Sequence, residues 1–296
     1  MKIKKALITA GGYGTRFFPI TKTIQKEMLP ILSKPLLDYL VDDCINAGIQ
    51  EIIFIIRKGD TVVKSYYAQN KNLHNYLKRN NKLDRYEEIA ALHTKATFHF
   101  IEQSDKEYGT AVPVLLAKKH LKNEDHFLVL MGDDFIYHKD NQSEIVNMIQ
   151  ALEETKAQAL MSCIQIPPEF THKYGIVQTK IFESILLLDT IIEKPKLGTA
   201  PSNLANVSKY ILSNTIFPII QKLKPDISSG EYFLTDAIIA LAKIESVAIH
   251  IPTGEYLDCG NVLGWLKTNI IFAHDQAEIW EPLNKFLEER FSKSVN

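Results

Sequence analysis

Cysteine is scarce in this 296-residue chain: Cys44, Cys163 and Cys259 are the only three, and none stands at a C-x-x-C spacing. An odd, scattered set argues against a disulfide framework or a zinc site and fits a reducing compartment. Long apolar runs are missing as well. No stretch approaches the roughly 18 apolar residues of a membrane-spanning helix. The basic start Met1-Lys2-Ile3-Lys4-Lys5 leads into an apolar run shorter than the about 7–15 residues of a secretion signal's core. These absences set the expectation of a cytoplasmic protein that touches no membrane. Net charge is nearly absent, at −1, and gives no reason to expect a nucleic-acid partner. Internal repeats, low-complexity tracts and flexible linkers are also lacking. So is the P-loop string Gly-x-x-x-x-Gly-Lys-Ser/Thr. A dinucleotide fingerprint would need a glycine where Phe17 stands, so a hydride-transfer cofactor is disfavoured.

What is present is an ordinary globular balance, 46% hydrophobic and 23% charged, ample for a sizeable core. One stretch organises the rest. Gly11-Gly12-Tyr13-Gly14-Thr15-Arg16 follows the apolar run Ala6-Leu7-Ile8, at the exit of an expected first strand. Three glycines in four residues let the backbone turn sharply and aim successive N–H groups at one place. Arg16 and Lys26 add positive charge to the same loop. A strand, a glycine-rich turn and paired cations describe a site for a polyphosphate. A glycine turn alone is often only a turn.

Periodicity places this loop in an alternating framework. Lys34-Pro35 opens a helix with Leu37, Leu40, Val41, Cys44 and Ile45 at helical spacing, stopped by Gly48. Unbroken apolar runs at 52–56, 97–101 and 127–131 suit parallel strands covered on both faces. Helices are expected at 59–69, 112–120 and 143–152, and a further strand at 158–164. Residues 70–93 are polar, with short helical patterns at Leu73, Tyr76 and Leu77 and at Tyr86, Ile89 and Ala90, and read as a solvated helical insertion. Beyond 174 the regular alternation gives way to short strands at 174–179, 188–193 and 205–212, then helices at 235–243 and 264–273 around a strand at 247–251. Ile279, Trp280, Leu283, Phe286, Leu287 and Phe291 mark one face of a last amphipathic helix, which packs on the core or on a second subunit. The fold class is α/β: a Rossmann-like, mostly parallel mixed sheet flanked by helices, with a small β subregion and C-terminal helices.

Acidic residues at the end of a buried strand lie on the edge where open α/β sheets bind ligands. Asp133, in Met131-Gly132-Asp133-Asp134, is such a residue, although Gly-Asp-Asp also makes a good surface turn. Asp258, in Leu257-Asp258-Cys259-Gly260-Asn261, is equally compatible with a helix N-terminal turn. Glu193-Lys194-Pro195 ends an apolar strand, where a lysine can neutralise a phosphate and a glutamate can accept from sugar hydroxyls, or the three can simply close the strand.

Taken together, these segments resemble the sugar-nucleotide pyrophosphorylases: Gly-x-Gly-Thr-Arg, a proline, and Lys26-Glu27-Met28-Leu29-Pro30. The bacterial UTP–glucose-1-phosphate uridylyltransferases show the strongest likeness, running from Lys5 to about Phe272 and less alike near 70–93. Tyr174-Gly175-Ile176-Val177, Pro201-Ser202-Asn203-Leu204-Ala205 and Gly230-Glu231 with Leu234-Thr235-Asp236-Ala237 match further segments.

The resemblance implies a single nucleotidyltransferase domain of GT-A-like fold over 1–296. Its parts would be a nucleotide-binding half (1–165), a sugar-binding half (166–262) and C-terminal helices (263–296). It implies UTP and glucose 1-phosphate as substrates, Mg²⁺ as cofactor, and a homo-oligomer, dimer or tetramer. Arg16, Lys26 and Lys194 would be catalytic, with Asp133 and Asp258 as metal ligands. Ala10, Gly11, Gly12, Gly14, Thr15, Glu27, Gln103, Gly109 and Thr110 would bind the nucleotide, and Gly175, Glu193 and Asn203 the sugar. Glu231 and Asp236 would line the sugar side or cap the next helix. The chain departs from the family's usual Leu-Pro-Asp-Val, with Gly132 for Pro and Asp134 for Val, and Ser104 to Tyr108 is more acidic than in relatives. That last departure leaves uracil against thymine open, and a non-catalytic sugar-nucleotide-binding subunit is the rival of another class.

Overall fold

The computed structural model describes residues 2–86, 91–104 and 106–291. Ile89 and Ala90 of the second insertion pattern, and Asp105, lie outside them. The apolar runs become strands that share one nine-stranded sheet. In chain order β1 is Lys5–Ala10, followed by a two-residue hairpin of β2 (Pro30–Ile31) and β3 (Lys34–Pro35). The strands β4 (Glu51–Arg57), β5 (Thr97–Gln103) and β6 (His126–Met131) complete the first half. A short β7 (Asp134–Tyr137) precedes β8 (Ala159–Gln165), β9 (Gly175–Phe182), β10 (Ile185–Glu193) and β11 (Leu204–Ser213). The last two are β12 (Val247–His250) and β13 (Glu255–Asp258). The sheet order is β5-β4-β1-β6-β11-β8-β12-β10-β9.

β5, β4, β1 and β6 run parallel, so their carboxyl ends open on one edge. Ile52 to Ile56 are fully buried, as a strand covered on both faces requires. β11 enters antiparallel between β6 and β8, carrying a register irregularity between Asn206 and Tyr210. This insertion joins the parallel half to the second half of the sheet, where β8 and β12 are parallel and β10 and β9 antiparallel. Helices cover both faces and build two apolar clusters, one around Leu40, Phe54 and Leu130, the other around Leu7, Phe127 and Tyr210.

Three local expectations shift. Pro35 is the N-cap, not the first helical residue, because Lys34–Pro35 pairs with Pro30–Ile31 and the helix begins at Leu36. The helix expected over 59–69 is confined to Val62–Tyr66. Gly59 takes φ +77° and the Asp60 carboxylate accepts from the Val62 N–H at 2.8 Å, so a tight turn occupies the first residues. Asp134 lies in no surface turn. It starts β7, which pairs antiparallel with β13 and so sets Asp134 opposite Asp258. Lys71–Arg79 forms the first insertion helix with none of its residues buried. Among the described residues, no helix is long and apolar enough to cross a membrane.

One glycine pins two loops over the parallel edge. Gly109 has φ +113°, and a Cβ there would lie 2.5 Å from both the nitrogen and the oxygen of Tyr232. The Tyr232 N–H donates to Tyr108 O, and the Ala111 N–H donates to Tyr232 O, each at 2.9 Å. Gly109→Ala should therefore force the segments apart, lowering stability by about 1–3 kcal/mol in urea denaturation and raising the nucleotide's KM more than it lowers kcat.

Candidate active site

At the carboxyl ends of the parallel strands a cavity of about 780 Å³ opens between the glycine loop and the Gly109 loop. Gly11, Gly12, Lys26, Glu27, Gln103, Gly109, Thr110 and Asp133 all line it, so eight of the sequence-derived site residues meet here. Gln103 ends β5 in register with Arg57, and its Oε1 lies 3.5 Å from the position a Gly11 Cβ would take. Gly14 adopts φ +59° and accepts from the Thr21 hydroxyl through its carbonyl at 2.8 Å, which closes the loop. Thr110 is already engaged, its hydroxyl accepting from the Leu234 N–H at 2.9 Å.

Lys26 is the electrostatic centre. Its Nζ lies 2.5 Å from Asp133 Oδ2 and 2.9 Å from Glu27 Oε1. Burial works against the ammonium, but Glu27 and Asp133 outweigh it and hold its pKa well above the ordinary lysine value. Asp133 is shifted down: burial opposes its charge, and Lys26 more than offsets that. Glu27 goes the other way, because its burial outweighs the pull of Lys26.

Asp133 and Asp258, 125 positions apart in numbering, are brought together by the β7–β13 ribbon and by the Cys259 N–H donating to Asp133 O at 3.0 Å. A Cβ on Gly260 would sit 2.8 Å from Asp133 Oδ2 and 3.0 Å from Asp258 Oδ1. Both carboxylates therefore converge on a space that only glycine leaves open. Arg16 reaches the same place from the glycine loop, its guanidinium donating to Gly260 O at 3.4 Å. Asp258 is oriented by the Gly260 N–H at 2.8 Å and the Asn261 amide at 3.0 Å. Among the described residues no group of three or more His, Cys, Asp or Glu side chains is arranged to hold a metal. Two carboxylates suit an ion that takes one or two protein oxygens and completes its shell with phosphate and water, as Mg²⁺ does.

Behind the pair stands a residue the sequence had left uninterpreted. Asp134 is buried and ion-pairs with Lys209, which is also buried and donates to Asp134 O at 3.1 Å. The Tyr256 hydroxyl donates to the other Asp134 oxygen at 3.2 Å. Lys209 was missed by pattern reading, although a lysine inside the apolar strand run over 205–212 was a usable signal.

The sugar-side residues form a neighbouring group outside the cavity lining. Gly175 pairs with Glu193 across β9 and β10, and a Gly175 Cβ would fall 2.8 Å from Glu193 Oε2. Lys194 follows at φ +44°, with its side chain 67% exposed and 3.9 Å from Glu193. The Lys194 N–H donates to Tyr174 O at 3.0 Å. The Tyr174 phenol is pushed up by burial and then by Asp258 and Asp134, which places this segment within the field of the paired carboxylates. Burial raises Glu193 as well, and Asp236 and Glu231 add to the rise against Lys194. Asp236 sits in the first turn of the helix Leu234–Leu241. Asn203 is exposed and is held through its backbone, its carbonyl accepting from the Ile166 N–H. Ala10 is buried beneath the loop, and Thr15 is exposed. Arg57 and Tyr13, a cation–π pair 5.1 Å apart, line the cavity without having been anticipated. A basic residue ending a strand on this edge was the signal for Arg57.

The nucleotidyl transferase family model matches residues 5–272. This chain belongs to that family. Nucleotidyl transferases similar to it include UTP–glucose-1-phosphate uridylyltransferase 1 of Staphylococcus saprophyticus, 33% identical over all of both chains. The UTP–glucose-1-phosphate uridylyltransferase of Bacillus subtilis is 32% identical over 99% of this chain and 98% of its own. A UDP-glucose pyrophosphorylase complexed with UDP-glucose superposes with a TM-score of 0.81 at 30% identity, covering 93% of this chain and all of the other. The UTP-bound enzyme from Acinetobacter baumannii gives 0.85 at 28% identity, over 98% of this chain and all of its own. As a nucleotidyl transferase the chain is an enzyme of α/β fold.

The buried Asp134–Lys209 pair yields a stability test. Lys209→Met should cost roughly 3–5 kcal/mol in urea denaturation, because it leaves a buried carboxylate without its counter-charge. Asp134→Val with Lys209→Met should return stability to wild type or above it, since well-packed apolar replacement of a buried pair is often neutral or better.

Proposed function

We propose that the protein transfers the uridylyl group of UTP to α-D-glucose 1-phosphate, forming UDP-glucose and releasing pyrophosphate. The observation that carries this is the convergence of Lys26, Asp133 and Asp258 beside the glycine-loop cavity, with Glu193 and Gly175 adjoining. Full-length similarity to uridylyltransferases supports the choice of UTP and glucose 1-phosphate.

The attacking group needs no general base. A phosphate monoester's second pKa is about 6, so the sugar phosphate is largely dianionic at neutral pH. Its oxygen attacks the α-phosphorus in line and pyrophosphate leaves, so the protein's task is positioning and charge neutralisation. Gln103 and the Gly109 loop take the base. Lys26, held protonated and aimed by its two carboxylates, exchanges part of that pairing for the α-phosphate. Arg16 and the amides of Gly11, Gly12 and Gly14 hold the departing β- and γ-phosphates. Lys194, exposed at the mouth, guides the sugar phosphate, while Glu193 accepts from sugar hydroxyls. Mg²⁺ fits Asp133 and Asp258, and when bound would supply charge neutralisation at the phosphates. The nucleotide half over 1–165 and the sugar half over 166–262 would share one domain.

Three buried free thiols suit a reducing, cytoplasmic setting. The helix Ala277–Phe291, with no buried residue and with Phe286 and Phe291 exposed, supports reading the protein as a homo-oligomer.

Pyrophosphate release over a grid of nucleotides and sugar 1-phosphates tests the assignment: UTP with glucose 1-phosphate should exceed every other pair. A higher rate with dTTP would move the enzyme to thymidylyl transfer, and Ser104 and Tyr108, which line the base end of the cavity, would be the residues to examine. Binding of UDP-glucose with no turnover would instead indicate a non-catalytic subunit. Asp133→Asn should reduce kcat by about 10²–10³-fold, on the scale of losing one preorganised electrostatic group, with the protein still folded by circular dichroism. Arg16→Ala should raise KM for UTP and, in the reverse direction, for pyrophosphate. If only the KM for glucose 1-phosphate moved, Arg16 would not serve the leaving group.

A further inference from the structure

Two cations line the nucleotide cavity among the described residues, Lys26 and Arg57. Lys26 is occupied by Glu27 and Asp133. Arg57 has no carboxylate partner among the described residues, and its guanidinium rests on the Tyr13 ring, 5.1 Å from the centroid. No step of the transfer uses it. Its place in the sheet supplies a task. The strand order β5-β4-β1 sets Gln103, Arg57 and Gly11 side by side along the carboxyl edge, with Arg57 in register with Gln103. Residues in register on neighbouring parallel strands present their side chains to the same face, and both of these line the cavity.

Gln103 offers the base an amide, which carries a donor and an acceptor side by side. Among the described residues nothing hydrogen-bonds that amide, so no neighbour fixes which way round it stands. Turned one way, it matches the O4 and N3–H of uracil. Turned the other way, it matches the N4 amino group and N3 of cytosine equally well. A backbone N–H of the Gly109 loop can donate to O2, but both pyrimidines carry O2. Ser104 and Tyr108 end in hydroxyls, which donate or accept as the base requires. None of these groups separates UTP from CTP.

A guanidinium does. It holds five N–H donors in a rigid plane and accepts nothing. Beside Gln103 it favours a carbonyl oxygen at the 4-position of the base and opposes an amino group there, whose hydrogens would face its own. The Tyr13 ring restrains the guanidinium, since a cation over an aromatic face is attracted to it. We propose that Arg57 donates to O4 of the bound uracil and fixes the Gln103 amide in the matching sense, which makes the site select UTP over CTP. The proposal rests on the uridylyl-transfer reading for its substrate and adds the residue that chooses between the two pyrimidines. Thymine carries the same O4, so this contact does not bear on UTP against dTTP. A site built around a hydrogen bond rejects the analogue that leaves its polar group unpaired.

The test measures dissociation constants of UTP and CTP for the full chain by titration calorimetry, with the weaker nucleotide read by competition. Wild type should prefer UTP by roughly 10- to 100-fold, as suits a hydrogen bond from a charged donor. Arg57→Met keeps an unbranched side chain without the donors. It should weaken UTP and leave CTP unchanged or tighter, bringing the ratio to within about threefold. Arg57→Lys keeps a donor but not the planar fork, so UTP should stay preferred at a reduced ratio, and this variant guards against a folding defect in the other. Equal affinity of wild type for UTP and CTP would overturn the proposal. So would a ratio that does not move in Arg57→Met, or an equal loss for both nucleotides, which is the signature of a phosphate contact. Pyrophosphate release is measured separately. A protein that prefers UTP through Arg57 but makes no UDP-glucose would sink the transfer reading and leave Arg57's role standing. UDP-glucose formed with an unmoved ratio would sink Arg57's role alone.

Discussion

The short antiparallel pairing of β7 with β13 is the constraint on which the site depends. Four residues on each strand set Asp134 opposite Asp258, and the Cys259 N–H bond to Asp133 O closes the arrangement. Everything electrostatic follows from that register. Asp133 and Asp258 converge over Gly260, Lys26 is drawn in by Asp133 and Glu27, and Arg16 reaches Gly260 from the opposite loop. A slip of one residue would turn these side chains to the other face.

Such a concentration of carboxylates is costly away from water, and the fold compensates locally. Asp134 is cancelled by Lys209, whose strand is irregular in register between Asn206 and Tyr210. Ser208 takes φ +55° there, and its N–H bonds to the Asn206 side chain. A bulge of this kind re-aims a side chain, here a lysine that would otherwise be out of place in an apolar strand. With that pair buried, Asp133 and Asp258 are the carboxylates left converging on the space over Gly260. Folding and chemistry are thus coupled through β11, the strand that also joins the two halves of the sheet.

The two regions proposed for the substrates differ in how prepared they are. The nucleotide cavity is bounded by loops tied to each other through Tyr108, Tyr232 and Thr110. The sugar side presents an exposed Lys194 beside a Glu193 set against Gly175. A preformed cavity for one substrate and a looser, charged mouth for the other suit a reaction in which the nucleotide is held and the sugar phosphate delivered to it.

Much of this was legible from residues alone. Unbroken apolar runs identified β4 and β6 because burial on both faces removes the need for alternation, and glycine-rich, cationic chemistry after β1 pointed to the loop that lines the cavity. The motifs also named Lys26, Glu27, Gln103 and Asp133, whose side chains line that cavity, since their chemistry is local. Less legible were features that exist only between distant segments. Nothing near Asp134 announces Lys209, nothing near Gly109 announces the Tyr232 backbone against which it packs, and nothing in Arg57 alone announces Tyr13. The sequence by itself determined the strand–helix alternation and the glycine-rich, cationic loop at the exit of β1, because those depend on residue type and short spacing. Only the tertiary structure decided that Asp134 is a buried counter-charge rather than a turn, that Asp133 and Asp258 share one space, and that Lys26 is held between Glu27 and Asp133, because each is a matter of which atoms come within a few ångströms.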